Sequence, residues 1–370
     1  MSNKRCYVEV DLSVIRENAR ILSASLGPGQ EMMAVVKADA YGHGAVPVSL
    51  ALKEEGVRHF AVSNIREAME LREAGIAGQI LILGYTPACE ADKLKSYDIT
   101  QALISEEHAQ GFKGTGIKAQ FAIDTGMNRI GLDGDDPAHC EAVIRSYRDE
   151  VQLTGLFTHL CTADDPSSDD FTEEQMARFE AVCERVSDLE LPYLHCLNSA
   201  GGLYHNAYGK LVRFGIVLYG LKPDRANVLP DGLKPAMTWK SLISMVKTVH
   251  PGESISYGRT FTADHEMRVA TVPVGYADGY RRDMSNQGSV WIRGKEARIL
   301  GRVCMDQFMC DVTDIPEASF EDEVILMDQH YSADTIAALC RTIGYEIACD
   351  ISKRTERVYI HGNNGKAEKF

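Results

Sequence analysis

Apolar and polar residues follow two textures along this chain, with the change near residue 235. In the first, short apolar runs rich in β-branched residues alternate with stretches whose apolar positions return every three or four residues. These are the signatures of buried strands and amphipathic helices. After a strand at Arg5–Val10, the segment Leu12–Leu26 carries Ile15, Ala19 and Leu22 at helical spacing, with Asp11 or Ser13 able to cap it. Eight strands then follow, at Met32–Ala38, His59–Asn64, Gln79–Tyr85, Ile99–Ser105, Lys118–Asp124, Leu153–Leu160, Tyr193–Ser199 and Leu211–Tyr219. Between them lie helical stretches such as Ile65–Ala74 and Thr172–Leu189, the latter with Met176, Phe179, Val182 and Val186 as one apolar stripe. Strands alternating with helices pair in parallel, and eight such units with non-alternating strands predict a closed (β/α)₈, TIM-like barrel over residues 12–232.

The link Lys222–Pro235 holds Pro223, Pro230, Gly232 and Pro235 and reads as a domain boundary. Beyond Ala236 the helical periodicity nearly vanishes. Short strands are expected at Met237–Val249, Arg268–Val274, Ser289–Ile292, Glu296–Leu300, Phe308–Val312 and Glu323–Met327, with one helix at Ala333–Ile343. The fold class is therefore α/β, a barrel followed by a mainly antiparallel β domain over 236–370 that residues 1–11 join.

Composition narrows the function. A chain of 370 residues with 45% hydrophobic content can bury more than one core. A net charge of −14 without a basic block disfavours nucleic acid and anionic membrane as partners and points to a small substrate. No apolar stretch reaches the roughly 18–20 residues of a membrane span, and MSNKRCYVEV lacks the apolar core of a signal peptide, so a cytoplasmic protein is expected. Ten cysteines without a C-x-x-C pair read as reduced thiols, and no protein-bound metal is expected.

The chemistry centres on Lys37, which ends the apolar run Met32–Val36. An amine desolvated at the end of a strand can lose its proton near neutral pH, the condition for forming a Schiff base, although a snorkelling surface lysine has the same local pattern. Gly42 and Gly44 permit left-handed backbone beside a ligand, and Tyr41 offers a phenol to a phosphate. Catalytic groups of such barrels gather at the C-terminal ends of the strands, where Lys37, Arg129, His159 and Ser199 fall, and Arg213 lies within the eighth. The small residues of Asn198–Gly202 and Arg213–Ile216 suit either a phosphate cradle or plain turns.

Five separated motifs, VKADAYGHG around Lys37, DTGMNRIG around Arg129, VRFGIVLYG around Arg213, SYG around Tyr257 and VCMD around Met305, resemble the alanine racemase family in the same order. The resemblance implies a pyridoxal-phosphate enzyme, homodimeric, that interconverts L- and D-alanine with two bases, Lys37 and the partner's tyrosine at Tyr257. It further implies that Tyr41, Ser199, Gly215 and Ile216 bind the phosphate, that His159 flanks the pyridine ring, and that Arg213 faces the ring nitrogen. Arg129 and Met305 would meet the substrate, His195 would steady Arg213, and Tyr276 would support Tyr257, with Asp306 beside Met305. Asp164, Arg282, Arg302 and Lys353 fall along the substrate's access path. Two positions depart from the family pattern. Ala122 stands where many members carry a carbamylated lysine that orients the arginine, so Arg129 needs another anion. Lys353 replaces a tyrosine, which leaves serine or another small amino acid as an alternative substrate. A non-catalytic cofactor carrier is the other alternative, against which Tyr257 argues.

Overall fold

The computed structural model describes residues 4–206, 209–224, 228–361 and 367–368. Eight parallel strands form one sheet in the order Leu211–Phe214, Glu31–Val35, His59–Val62, Gln79–Ile82, Thr100–Leu103, Lys118–Asp124, Gln152–Phe157 and Tyr193–His195. The Lys210 N–H donates to the Leu194 carbonyl at 2.9 Å and the Arg213 N–H to the Leu197 carbonyl at 3.1 Å, which joins the two ends of the sheet into a barrel. Phe60–Val62, Ile80–Ile82 and Ala102–Leu103 are wholly buried, as strands covered on both faces must be.

The strands stop earlier than the apolar runs that mark them. Met32–Ala38 ends at Val35, Leu153–Leu160 at Phe157, Tyr193–Ser199 at His195, and Leu211–Tyr219 at Phe214. Burial, rather than strand pairing, sets how far each run stays apolar. Ile216–Tyr219, for example, is a single 3₁₀ turn with all four side chains buried. Lys37 and His159 therefore lie just past their strands, and Ser199 begins a short helix, Ser199–Tyr204.

The second sheet has ten strands and is mostly antiparallel. Strand Cys6–Asp11 lies within it, antiparallel to Met237–Leu242 and parallel to Glu356–Ile360. The single strand expected at Met237–Val249 is two, Met237–Leu242 and Met245–Val249, because the halves take different neighbours. The first pairs with Cys6–Asp11 and Glu323–Met327, the second with Met267–Val272. The helix expected to Ile343 ends at Cys340, where Arg341 turns left-handed at φ 56°, and a further short helix, Gly344–Asp350, follows.

The first helix, Leu12–Ala24, is capped by Asp11, whose Oδ1 accepts from the Ser13 and Val14 N–H groups at 2.9 and 3.4 Å. Its inner face buries Ile15, Ala19 and Leu22, and also Asn18. Asn18 Nδ2 donates to the Leu218 and Lys234 carbonyls at 3.0 and 2.9 Å, and its Oδ1 accepts from the Lys234 N–H at 3.0 Å. One amide thus ties the helix to the backbone just before the link between barrel and second sheet and to the link's own end. Asn18→Leu strands three backbone groups, that of Leu218 fully buried, and is expected to destabilise the chain by about 1–3 kcal/mol. A drop of several degrees in the thermal midpoint checks this, with Asp11→Ala as the milder comparison at about 1 kcal/mol.

Candidate active site

The chain leaves the first barrel strand through an unusual turn. Ala38, Asp39, Ala40 and Tyr41 all have φ of 53–55°, one turn of left-handed helix built from residues with side chains. Each such residue costs roughly 1–2 kcal/mol relative to the right-handed form. Offsetting contacts hold the turn: the Ala40 N–H donates to the Val36 carbonyl at 2.9 Å, and Asp39 Oδ1 accepts from the Ala45 N–H at 2.7 Å. Gly42, at φ 80°, continues the turn where the backbone of Ala348 leaves no room for a Cβ. The result turns Lys37 and Tyr41 toward the barrel mouth.

Two adjoining cavities open there, of about 260 and 400 Å³, both lined by Lys37, Leu83, Met127, His159 and Arg213. The first extends past Ser63, Ala122, Asp124, Arg129 and Thr158. The second extends past Tyr41, Asp164, Ser199, Gly215, Ile216, Asp224 and Tyr345. Nine of the residues singled out in the sequence thus meet at one place, with His195 directly behind them.

Arg213 organises the floor. It is buried, and four of its five N–H donors are taken: Nη1 donates to His195 Nδ1 at 2.7 Å and the His195 carbonyl at 3.0 Å, and Nη2 to the Thr158 and Cys196 carbonyls at 2.6 and 3.0 Å. Among the described residues Nε–H has no partner, and the side chain lines both cavities. Burial, and then Arg129, draw the guanidinium down to about 10, still well above neutrality. His195 is wholly buried and held far below its ordinary value by burial and then by Arg213. It is therefore neutral, accepting at Nδ1 and donating from Nε2 to Gln120 Oε1 at 2.8 Å. Phe157 stacks on it at 5.4 Å. His159 is likewise kept neutral, by burial first and then by Arg213, Arg129 and Lys37.

Lys37 is half-buried, and its amine is lowered by burial first, then by Arg129. Tyr41 is buried and its phenol is pushed up by burial, so it stays a donor. The phenol lies over Gly215, where a Cβ would come within 2.6 Å of its oxygen, and the Gly215 N–H donates to Ser199 Oγ at 2.9 Å. A hydroxyl, a phenol and a side-chain-free backbone beside a buried cation and an amine make a cradle that fits a phosphorylated aldehyde. Arg129 makes no ion pair among the described residues, and Ala122 beside it carries no charge to balance it.

The remaining candidates lie on the second sheet. Tyr257, Met305 and Asp306 line a separate depression of about 410 Å³ with Ser256, Cys304, Gln307 and Met309. Tyr257 and Met305 are 69% and 53% exposed, so the described residues leave most of each uncovered. Tyr276 is exposed beside them, its N–H donating to the Cys304 carbonyl at 3.1 Å. The Arg302 guanidinium packs on Gly258, next to Tyr257, while Arg282 and Lys353 are exposed and line neither barrel cavity. Among the described residues no group of three or more His, Cys, Asp or Glu could hold a metal, and all ten cysteines are free. Gln120 and Thr158 escaped notice in the sequence. Gln120 lies two residues before Ala122 in a strand of period two, a spacing that marks it as inward-facing.

Residues 10–223 match the N-terminal domain of alanine racemase and residues 236–359 its C-terminal domain. An alanine racemase of Halothermothrix orenii is 40% identical over 366 residues, spanning 95% of this chain and 96% of that protein. One of Desulfovibrio desulfuricans is 40% identical over 365 residues, 96% and 98% of the two chains. Among solved structures, the alanine racemase of Clostridium difficile 630 superposes with a TM-score of 0.92 at 34% identity, covering 100% of this chain and 98% of that one. The Bacillus anthracis enzyme with bound L-Ala-P gives 0.90 at 32% identity, again over 100% and 98%. With both halves matched in order and identity near 40% over almost the full length, the chain belongs to the alanine racemase family.

Proposed function

We propose that this chain interconverts L- and D-alanine with pyridoxal phosphate held on Lys37. The observation that carries the reading is a half-buried amine at the mouth of a barrel, between a buried guanidinium that no carboxylate pairs among the described residues and a hydroxyl-lined cradle. Tyr41, Ser199, Gly215 and Ile216 would hold the phosphate, His159 the face of the ring, and Arg213 the ring nitrogen. When bound, the cofactor supplies an electron-withdrawing ring that stabilises the charge left at Cα as its proton departs. Arg213 does not readily give up a proton, so facing the ring nitrogen it would act as a hydrogen-bond donor and not as an acid. Arg129 and Met305 would orient the substrate carboxylate, and His195 holds the Arg213 guanidinium in place.

Racemisation needs a proton taken from one face of Cα and returned on the other, so two bases must oppose each other. Lys37 is one. Tyr257 is the other in this reading, contributed with Met305 and Asp306 by the second subunit of a homodimer and supported by Tyr276. Its exposure in the single chain is what that arrangement requires. Asp164, Arg282, Arg302 and Lys353 would line the access path, and the whole would work in the cytoplasm. The domains divide at 12–232 and at 1–11 with 236–370. Against a cofactor carrier stands a second sheet bearing an exposed tyrosine, which a carrier does not need.

Lys37→Ala should abolish the visible absorbance of covalently attached cofactor, because no other amine shares its setting. Normal attachment in that variant overturns the assignment. Tyr257→Phe should keep the absorbance and lower racemisation by about 10²–10⁴. Mixing Lys37→Ala with Tyr257→Phe chains should restore some activity, since one site of a mixed dimer then holds both bases. No recovery after verified subunit exchange would show that the tyrosine acts within its own chain.

A further inference from the structure

The left-handed turn after Lys37 needs an anchor at its start, and the anchor comes from a different element. Glu67 sits in the first turn of helix Ile65–Glu73, whose N-terminus is capped by Asn64. Its Oε1 accepts from the Ala38 N–H at 2.9 Å, the peptide immediately after Lys37 and the first of the four left-handed residues. Its Oε2 accepts from the Ser63 N–H at 2.7 Å, on the loop after the second barrel strand, and Ser63 lines the cavity with Lys37. One carboxylate therefore bridges the two loops that flank the amine. No sequence motif marks it, since a glutamate early in a helix is ordinary.

The charges around Lys37 give that carboxylate a second part. Arg129, on the loop after the fifth barrel strand, and Arg213, on the eighth, both disfavour the ammonium form, as does burial. His159, beyond the sixth strand, is neutral. Glu67 and, from helix Gly344–Asp350, the Cys349 thiol act in the opposite direction, and Glu67 is the stronger. A base that takes a proton and returns it must hold that proton in between, and an amine faced only by arginines in a buried site holds it poorly.

We propose that Glu67 is the positioning residue of Lys37: its carboxylate fastens the turn that carries the lysine and supplies the negative charge beside an amine otherwise faced by arginines. The proposal rests on the reading of Lys37 as the cofactor lysine, but its geometry stands without the cofactor. Two carboxylate oxygens match two N–H donors. Glu67→Gln removes the charge and sets an NH₂ against one of those donors, while Glu67→Asp keeps the charge on a shorter stem.

The test uses the full chain stripped of cofactor. Acetylation of Lys37 by acetic anhydride is followed against pH by peptide mass spectrometry, and covalent attachment of added pyridoxal phosphate is followed by absorbance. In Glu67→Gln the midpoint of Lys37 acetylation should move to lower pH by about half a unit or more, because the ammonium loses its counter-charge. In Glu67→Asp the midpoint should stay near the native value while the rate of cofactor attachment falls severalfold. A merely structural role lowers rates without moving the midpoint. An unmoved midpoint in Glu67→Gln overturns the electrostatic part, and an unchanged attachment rate in Glu67→Asp overturns the fastening. If Glu67→Gln does not fold, Glu67→Asp decides the fastening by its attachment rate, and Glu67→Ala, read by the same acetylation midpoint, decides the electrostatic part. Failure of the native chain to attach cofactor at all defeats the reading of Lys37, and the acetylation midpoints still decide the part played by Glu67.

Discussion

A guanidinium buried without a carboxylate is the constraint on which the barrel mouth depends. Arg213 reaches the carbonyls of Thr158, His195 and Cys196, and its own N–H donates to the Leu197 carbonyl. One residue therefore knits the ends of the sixth, seventh and eighth strands where the barrel closes. Taking such a charge out of water costs several kcal/mol, and each charge-assisted hydrogen bond returns about 1.5–3 kcal/mol only if the carbonyl is aligned. The barrel ends are thus held to one geometry by the penalty of leaving the cation unsatisfied. A paired carboxylate would satisfy the same cation, but would also cancel the field it projects into the cavity.

That field has few compensations nearby. His159 and His195 are neutral because burial and Arg213 both oppose a second positive charge. Arg129 stands beside Ala122 without an ion pair among the described residues. In a chain of net charge −14, three cationic side chains gathered on one cavity form a local exception, and such a site selects small anions from solution. Asp164 and Asp224 line the second cavity and temper the field on that side. A phosphate and a carboxylate, the anionic ends of cofactor and substrate in the proposed reaction, would use the charge that the fold leaves unbalanced.

Much of this was legible in residue order. Apolar periodicity marked all eight barrel strands, and the rule that catalytic groups gather past strand ends brought Lys37, Arg129, His159 and Ser199 to one mouth, with Arg213 inside the eighth strand. Strand ends were less legible, because Val36, Leu160 and Ile216–Tyr219 remain buried after pairing has stopped. The left-handed turn was anticipated only at Gly42 and Gly44. Ala38–Tyr41 adopt it without glycine because Asp39 and Glu67 hold it from outside, and such contacts between elements have no signature in local composition. Gln120 and Asn18 escaped for a related reason. A buried amide is justified by its partners, here His195 and the backbone of Lys234, and those lie 75 and 216 residues away in the chain.

The second sheet presents its exposed tyrosines on a rigid base. Asp278 is wholly buried and accepts from Arg5 Nη2 at 2.6 Å, from Arg5 Nη1 at 3.2 Å and from the Gly275 N–H at 3.0 Å, with Arg354 Nε 3.2 Å away. Arg354 also reaches Asp306 at 2.9 Å. The Asp278 carboxylate is buried and needs these donors, while both guanidiniums stay partly exposed, so the loop bearing Tyr276 and the segment bearing Met305 are fixed from beneath by residues near both ends of the chain. Tyr257, Tyr276 and Met305 stand out from it into solvent. Exposed apolar side chains on a yielding surface would lose conformational freedom when covered, whereas a face already held in one shape loses little. Rigidity under an uncovered apolar face is the physical case for the proposed dimer, in which that face closes the barrel mouth of a second subunit.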